Sequence, residues 1–265
     1  MTGQGGAVAP PPLTNPRVER LRPLNEIMRG TRTATDEEIR RLFVTLLKDS
    51  DPWVRRQILE SASGVLLFGS LPVGRGVSPE AFARMRAVVL TLGPELDAAL
   101  ADDDPDVRAK AIGTVWVHLT GGRSLTADVP EAFAKRLASI FASDPSASVR
   151  TAALQAITTA YRSENAEVRR LSGQVVVAAL TQSDPYLLQA AGHAAGLAKL
   201  PEALPLLIGQ LKHPSFIART GIAQGIAGYG ALARPYLAEL QAALEAETDD
   251  IARKTIAGTI SVISR

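Results

Sequence analysis

Apolar residues along most of this chain recur three and four positions apart, the spacing of one face of an α-helix, and rarely alternate as a half-buried strand would require. Five stretches share one register. Counted from an arginine at 55, 108, 150, 219 or 253, positions +3, +4 and +7 are Ile58, Leu59 and Ala62; Ala111, Ile112 and Val115; Ala153, Leu154 and Ile157; Ile222, Ala223 and Ile226; and Ile256, Ala257 and Ile260. A further stretch, aligned on Gln189, places Gly192, His193 and Gly196 there, which makes His193 an expected core residue.

A recurring turn precedes each stripe. Asp51-Pro52-Trp53-Val54-Arg55 returns as Asp104-Pro105-Asp106-Val107-Arg108, then as Asp144-Pro145-Ser146-Ala147-Ser148-Val149-Arg150 with two extra residues. Looser copies stand at Asp184-Pro185, His213-Pro214 and Asp249-Asp250. Asp supplies an N-cap acceptor and Pro fits the first helical turn, where a missing N–H costs nothing. Each Asp-Pro therefore reads as a helix start. A second signal, Pro79-Glu80-Ala81-Phe82, Pro130-Glu131-Ala132-Phe133 and Pro201-Glu202-Ala203-Leu204, opens partner helices with an acidic residue near the positive end of the helix dipole.

The two signals alternate, which predicts six antiparallel helix pairs. The first helices of the pairs are expected over residues 36–48, 79–101 with a break at Gly93-Pro94, 130–142, 165–181, 201–211 and 233–245. The second helices are expected over 52–68, 105–120, 146–161, 185–198, 215–229 and 250–263. Residues 17–29 form a capping helix in this reading, and 17–265 a single solenoid domain. Residues 1–16, with Gly3, Gly5, Gly6 and Pro10-Pro11-Pro12, have little to bury and are expected to be disordered.

Composition agrees with thin helical layers. The chain holds 42 alanines in 265 residues but only 6 Phe, 4 Tyr and 2 Trp, and alanine lets helices form readily and approach closely. With no cysteine there is no disulfide framework, thiolate metal site or cysteine nucleophile. The 29 basic and 27 acidic side chains leave a formal charge of +2, short of the excess on which non-specific nucleic-acid binding depends. No run of 18 apolar residues and no export-signal pattern occurs, so a cytoplasmic protein without a membrane span is expected.

Paired helices with Asp-Pro-x-Val-Arg opening the second one resemble the HEAT repeats, over roughly residues 36–265. The resemblance implies an all-α, right-handed α-solenoid of about six HEAT-like helix pairs. It also implies that the motif's Asp and Arg bond between neighbouring repeats: Asp51 with Arg55, Asp104 with Arg108 and Asp144 with Arg150, followed by Arg219 and Arg253. Gln189 and His213 depart from the motif, so the ladder is expected to lapse around the fourth and fifth units.

Candidate chemistry is sparse. In a HEAT-like solenoid the second helices line the concave face, whose exposed positions carry mostly small or uncharged side chains. Arg56, Lys110, Trp116, Gln155 and Gln224 are the partner-binding candidates there. Two long connections, 70–78 and 121–129, place Arg75 and Arg123 at equivalent edges, where they suit an acidic or phosphate group. Asp102-Asp103-Asp104 reads as a helix end and cap rather than a calcium loop. His118, His193 and His213 form no ligand pattern, and the paired His-Glu motifs of HEAT-like iron hydroxylases are missing. No catalytic, cofactor-binding or metal-binding residue is assigned.

The expected function is a non-catalytic scaffold that binds a protein segment on its concave face or at the two-loop edge. The alternatives are a HEAT-like DNA-binding or alkylpurine-glycosylase-like repair protein, for which Trp53 and Trp116 are the aromatics at hand, and a repeat-containing lyase-type enzyme subunit. The scattered Lys and Arg of the concave face argue against nucleic acid. Oligomeric state is left open by the sequence.

Overall fold

The computed structural model describes residues 15–68, 78–121 and 129–265, and among them it contains helices and no strand. Helix α1 (Pro16–Met28) is capped by the Asn15 side chain, which accepts from the Arg17 N–H. Of the segment 1–16, expected to be disordered, Asn15 caps α1 and Pro16 opens it; residues 1–14 lie outside the described residues. Six helix pairs follow α1. They are α2 (Asp36–Leu47) with α3 (Pro52–Phe68), then α4 (Pro79–Val89) and α5 (Gly93–Ala98) with α6 (Pro105–Leu119), and α7 (Glu131–Ser143) with α8 (Ala147–Thr158). After these come α9 (Ala166–Ala179) with α10 (Pro185–Ala198), α11 (Ala203–Gln210) with α12 (Phe216–Tyr229), and α13 (Leu237–Ala246) with α14 (Asp250–Ile263).

The pairs stack into an all-α solenoid of two layers. Helices α3, α6, α8, α10, α12 and α14 pack on one another in sequence, while α2, α4 with α5, α7, α9, α11 and α13 form the second layer. A single hydrophobic cluster runs between the layers from Leu21 on α1 to Ile263 on α14. Neighbours in the α3-to-α14 layer are in closer contact than neighbours in the other layer. In the looser layer lie open wedges of about 470 Å³ at α5/α7, 500 Å³ between α9 and the turn at 200–202 that leads into α11, and 580 Å³ at α11/α13. A curved stack compresses its inner layer and opens its outer one, so the α3-to-α14 layer is the inner, concave one.

Three local expectations are corrected. Asp144-Pro145 does not open a helix: the N-cap of α8 is Ser146, and Asp144 sits two residues before it. The supposed two extra residues are the turn that every copy has. The register on Gln189 is also off by one, because Asp184 caps α10 by accepting from the Tyr186 and Leu187 N–H groups. The arginine position is therefore Leu188, fully buried, and the stripe becomes Ala191, Gly192 and Ala195. His193 moves to the exposed face. Finally, residues 233–236 belong to a 3-10 segment, Gly230–Tyr236, that precedes α13.

The seam between α10 and α12 is unlike the others. A Cβ built on Gly225 would stand 2.2 Å from the Gly192 carbonyl oxygen, and one on Gly196 would stand 2.5 Å from the Gly225 oxygen. Gly221 and Gly228 meet α10 at 2.5 and 2.6 Å in the same sense. These distances lie below any ordinary non-bonded contact, so the two backbones touch over about two turns. Only glycine permits such an approach.

Candidate functional site

The recurring turn is a clamp within its own unit. Asp51, Asp104, Asp184 and Asp249 each cap a helix. The residue two before the cap accepts from the cap's own N–H: Asp49 from Asp51 at 2.8 Å, Asp102 from Asp104 at 2.9 Å and Asp144 from Ser146 at 2.8 Å. His213 Nδ1 does the same for Ser215, and Glu247 for Asp249. Four residues after the cap the arginine folds back, and its Nη1 donates to the carbonyls of the turn. Arg55 reaches Asp49 O, Arg108 reaches Asp102 O, Arg150 reaches Asp144 O and Arg219 reaches His213 O, at 2.7–3.0 Å. Arg253 donates to the Glu247 carbonyl likewise. Asn165 and Arg169 form another copy on outer helix α9, which the sequence reading missed because Ser163 and Asn165 replace both Asp residues.

The other edge of each guanidinium ties one unit to the next. Arg55 forks onto Asp102 at 2.7 and 2.8 Å, Arg108 onto Asp144 at 2.8 and 3.0 Å, and Arg219 onto Glu247 at 2.6 Å twice. On the first turn, Arg17 meets Asp51 at 2.7 Å and Arg20 meets Asp49 at 2.5 Å. The partner of each ladder arginine is thus the carboxylate of the following unit. Asp51 with Arg55 and Asp104 with Arg108 are not ion pairs, and Arg150 touches Asp144 through its backbone oxygen alone. Asp49 and Glu247 are acceptors that the sequence reading does not name, and Asp102 it names only as a helix end; a carboxylate two residues before the caps Asp51, Asp104, Ser146 and Asp249 is the available signal.

Electrostatics follow the geometry. The Arg219 hydrogen bonds outweigh burial and hold the Glu247 carboxyl at about 2. Burial pushes the Asp144 carboxyl up, but the Arg108 fork and the Ser146 N–H more than offset it and leave it below the usual range. Between α8 and α12 the ladder has no rung: Arg150 Nε has no hydrogen-bond partner, and Leu188 stands where the next arginine would be.

The inner face carries the remaining candidates. Arg56 lies 3.9 Å from Asp106, and Lys110 lies 3.5 Å from Glu60, so these two cations are neutralised between α3 and α6. Trp116 is 6% exposed, packed in the core rather than presented to a partner, and its indole N–H has no hydrogen-bond partner. Gln155 on α8 and Gln224 on α12 are exposed, as are Gln189 and His193 on α10 between them. Arg75 and Arg123, with most of their two connections, lie outside the described residues.

The inner layer opens between α8 and α10. The hollow there measures about 340 Å³. Its floor is Thr158, Ala190, Ala194 and Leu197, and Gln155, His193, Tyr161 and Arg162 rim it. Arg162 lies over the Tyr161 ring, 5.0 Å from its centre. Among the described residues no group of three His, Asp or Glu side chains converges as a metal site would require. No helix there is long and apolar enough to cross a membrane.

No family model and no curated protein matches the chain. Among solved structures it is similar to an engineered protein at a TM-score of 0.52 and 17% identity, covering 85% of this chain and 98% of that one. A second engineered protein matches at a TM-score of 0.50 and 15% identity, over 86% of this chain and 96% of that one. Human deoxyhypusine hydroxylase in complex with glycerol matches at 0.43 and 15%, over 94% and 91%. The likeness to the two engineered proteins shows a fold, an all-α stack of helix pairs, and that alone.

Proposed function

We propose that this chain is a HEAT-type scaffold without catalytic function of its own, and that it binds a segment of a protein partner along its inner face. The observation that carries the reading is the chemistry of that face from α8 to α12. Its outward side chains include Thr151, Gln155, Gln189, His193 and Gln224, and within α8, α10 and α12 themselves no Asp, Glu, Lys or Arg is exposed; Arg162, in the 3-10 turn after α8, is the exposed cation beside them. Amide side chains on a rigid, closely packed layer suit the N–H and C=O groups of an extended or helical segment. A nucleic-acid groove needs a stripe of free cations; Arg56 and Lys110 already face carboxylates, and the single Arg162 beside α8 makes no stripe. The edge held by Arg75 and Arg123 is a second contact region in the same proposal.

Site-specific photo-crosslinking tests it. A crosslinker at Gln155 or Gln224 in the full chain, exposed to extract from the native cell, should trap polypeptide, and one at outer-layer Gln174 should trap much less. Crosslinks confined to Gln174, or adducts of nucleic acid together with a salt-sensitive gel shift, would overturn the reading.

A further inference from the structure

We infer that the hollow between α8 and α10 is an anchor pocket for one large apolar side chain of a partner segment that carries an acidic residue close beside it. The inference rests on the inner-face reading above and narrows it to a place and a chemistry.

The hollow exists for a structural reason. Everywhere else the inner layer is drawn together, by charged forks at Arg55, Arg108 and Arg219 or by the glycine contact of α10 with α12. At α8/α10 neither device operates. Arg150 meets no carboxylate, and α8 ends early, passing into a 3-10 turn over Thr159–Arg162. That turn swings Tyr161 and Arg162 to the rim instead of continuing the helix against α10. The seam therefore stays open along an apolar floor in which Leu197 is 48% exposed. An exposed leucine beside two alanines lining a concavity gains from burial under an incoming apolar group. At about 340 Å³ the hollow is at the small end of ligand sites, the scale of a side chain rather than a cofactor.

Charge selects what flanks that side chain. No Asp or Glu lines the hollow, and the Arg162 guanidinium makes no ion pair among the described residues; its neighbour is the Tyr161 ring. An arginine stacked on an aromatic face keeps its N–H edge free for a planar carboxylate. Among the inner-face cations of α3 and α6, Arg56 and Lys110 are matched by acids, and beside the hollow Arg162 is the cation that complements a partner's negative charge.

The test is fluorescence polarisation with the full chain and labelled 12-residue peptides. Each peptide carries a central Leu or Phe with Glu, Lys or Ser two residues away. Glu-flanked peptides should bind at least tenfold tighter than Lys-flanked ones. Arg162→Glu, an exposed change, should reverse that order, and Leu197→Glu should reduce all binding at least tenfold while leaving the helical circular dichroism unchanged. If peptides bind with no preference for charge, or Leu197→Glu has no effect while Gln224→Arg weakens binding, the pocket is wrong and the inner-face reading survives. If none of the peptides binds the wild-type chain and the Gln155 crosslinker traps no polypeptide, both fall.

Discussion

At the scale of the residue, one arginine does two jobs, and the geometry separates them. Nη1 closes the turn of its own unit, and Nε with Nη2 reaches the next unit's carboxylate. The Arg55–Asp102 fork is largely shielded, at 15% and 11% exposed, whereas Arg56 and Asp106 stand 3.9 Å apart at 45% and 68%. A double-mutant cycle on the first pair should return a coupling of roughly 1 kcal/mol or more, and on the second below about 0.5 kcal/mol. Equal couplings would mean that the fork adds nothing beyond proximity. Glu247 gives a pH prediction. Its carboxyl titrates at about 2 in the fold against 4.5 ordinarily. A depressed acid contributes its stabilisation in full above the unfolded value and loses it as pH falls towards the folded one. Thermal unfolding should therefore show wild type losing its margin over Glu247→Gln between pH 5 and about 2; parallel curves across that window would contradict the assignment.

Among the elements, the helices have two kinds of glycine. Gly113 in α6 has nothing within 4 Å of where a Cβ would be, whereas Gly225 in α12 has a carbonyl oxygen at 2.2 Å. Gly113→Ala should stabilise the protein by about 0.5–1 kcal/mol, the ordinary cost of glycine in a helix interior. Gly225→Ala must force two backbones apart and should cost about 3 kcal/mol or more, or prevent folding. Urea unfolding of the pair checks both signs. Thr114 and Thr259 show a third way to join inner helices, each hydroxyl donating to a carbonyl of the preceding helix, Leu59 at 3.2 Å and Ala223 at 2.9 Å.

Over the whole molecule these devices are distributed unevenly. Charged forks join α3 to α6, α6 to α8 and α12 to α14, and bare backbone joins α10 to α12. Salt screens charges and leaves van der Waals contact intact. Hydrogen exchange at about 1 M salt should therefore speed in α3, α6 and α14 relative to low salt, while α10 stays protected; uniform acceleration would show that the forks do not control local opening. On the last helix Ile256 and Ile263 are fully buried and Ile260 partly so, whereas Ala257, expected in the apolar stripe, is exposed together with Lys254, Ser261, Ile251 and Val262.

The helix pairs and most of their boundaries were legible in the sequence because each helix start is local chemistry: a capping side chain, a proline or acid in the first turn, then apolar residues at helical spacing. Ile58, Ile112, Leu154 and Ile222 are buried where that spacing put them. The same locality explains the errors. Asp144-Pro145 and Gln189 look like capping pair and motif arginine when read one copy at a time, and only the hydrogen bonds from the Ser146 N–H to Asp144 and from the Tyr186 N–H to Asp184 reveal the true register. The acid two residues before a cap is visible in the sequence, but its pairing with an arginine of the preceding unit is a contact across 28 to 47 residues that only stacking creates. The hollow is more remote still from the sequence, since it arises where a missing rung and an early helix end coincide in space. Sequence determined the elements, through interactions within a few residues; tertiary structure decided how tightly each unit meets the next, because that depends on side chains and backbones brought together only by stacking.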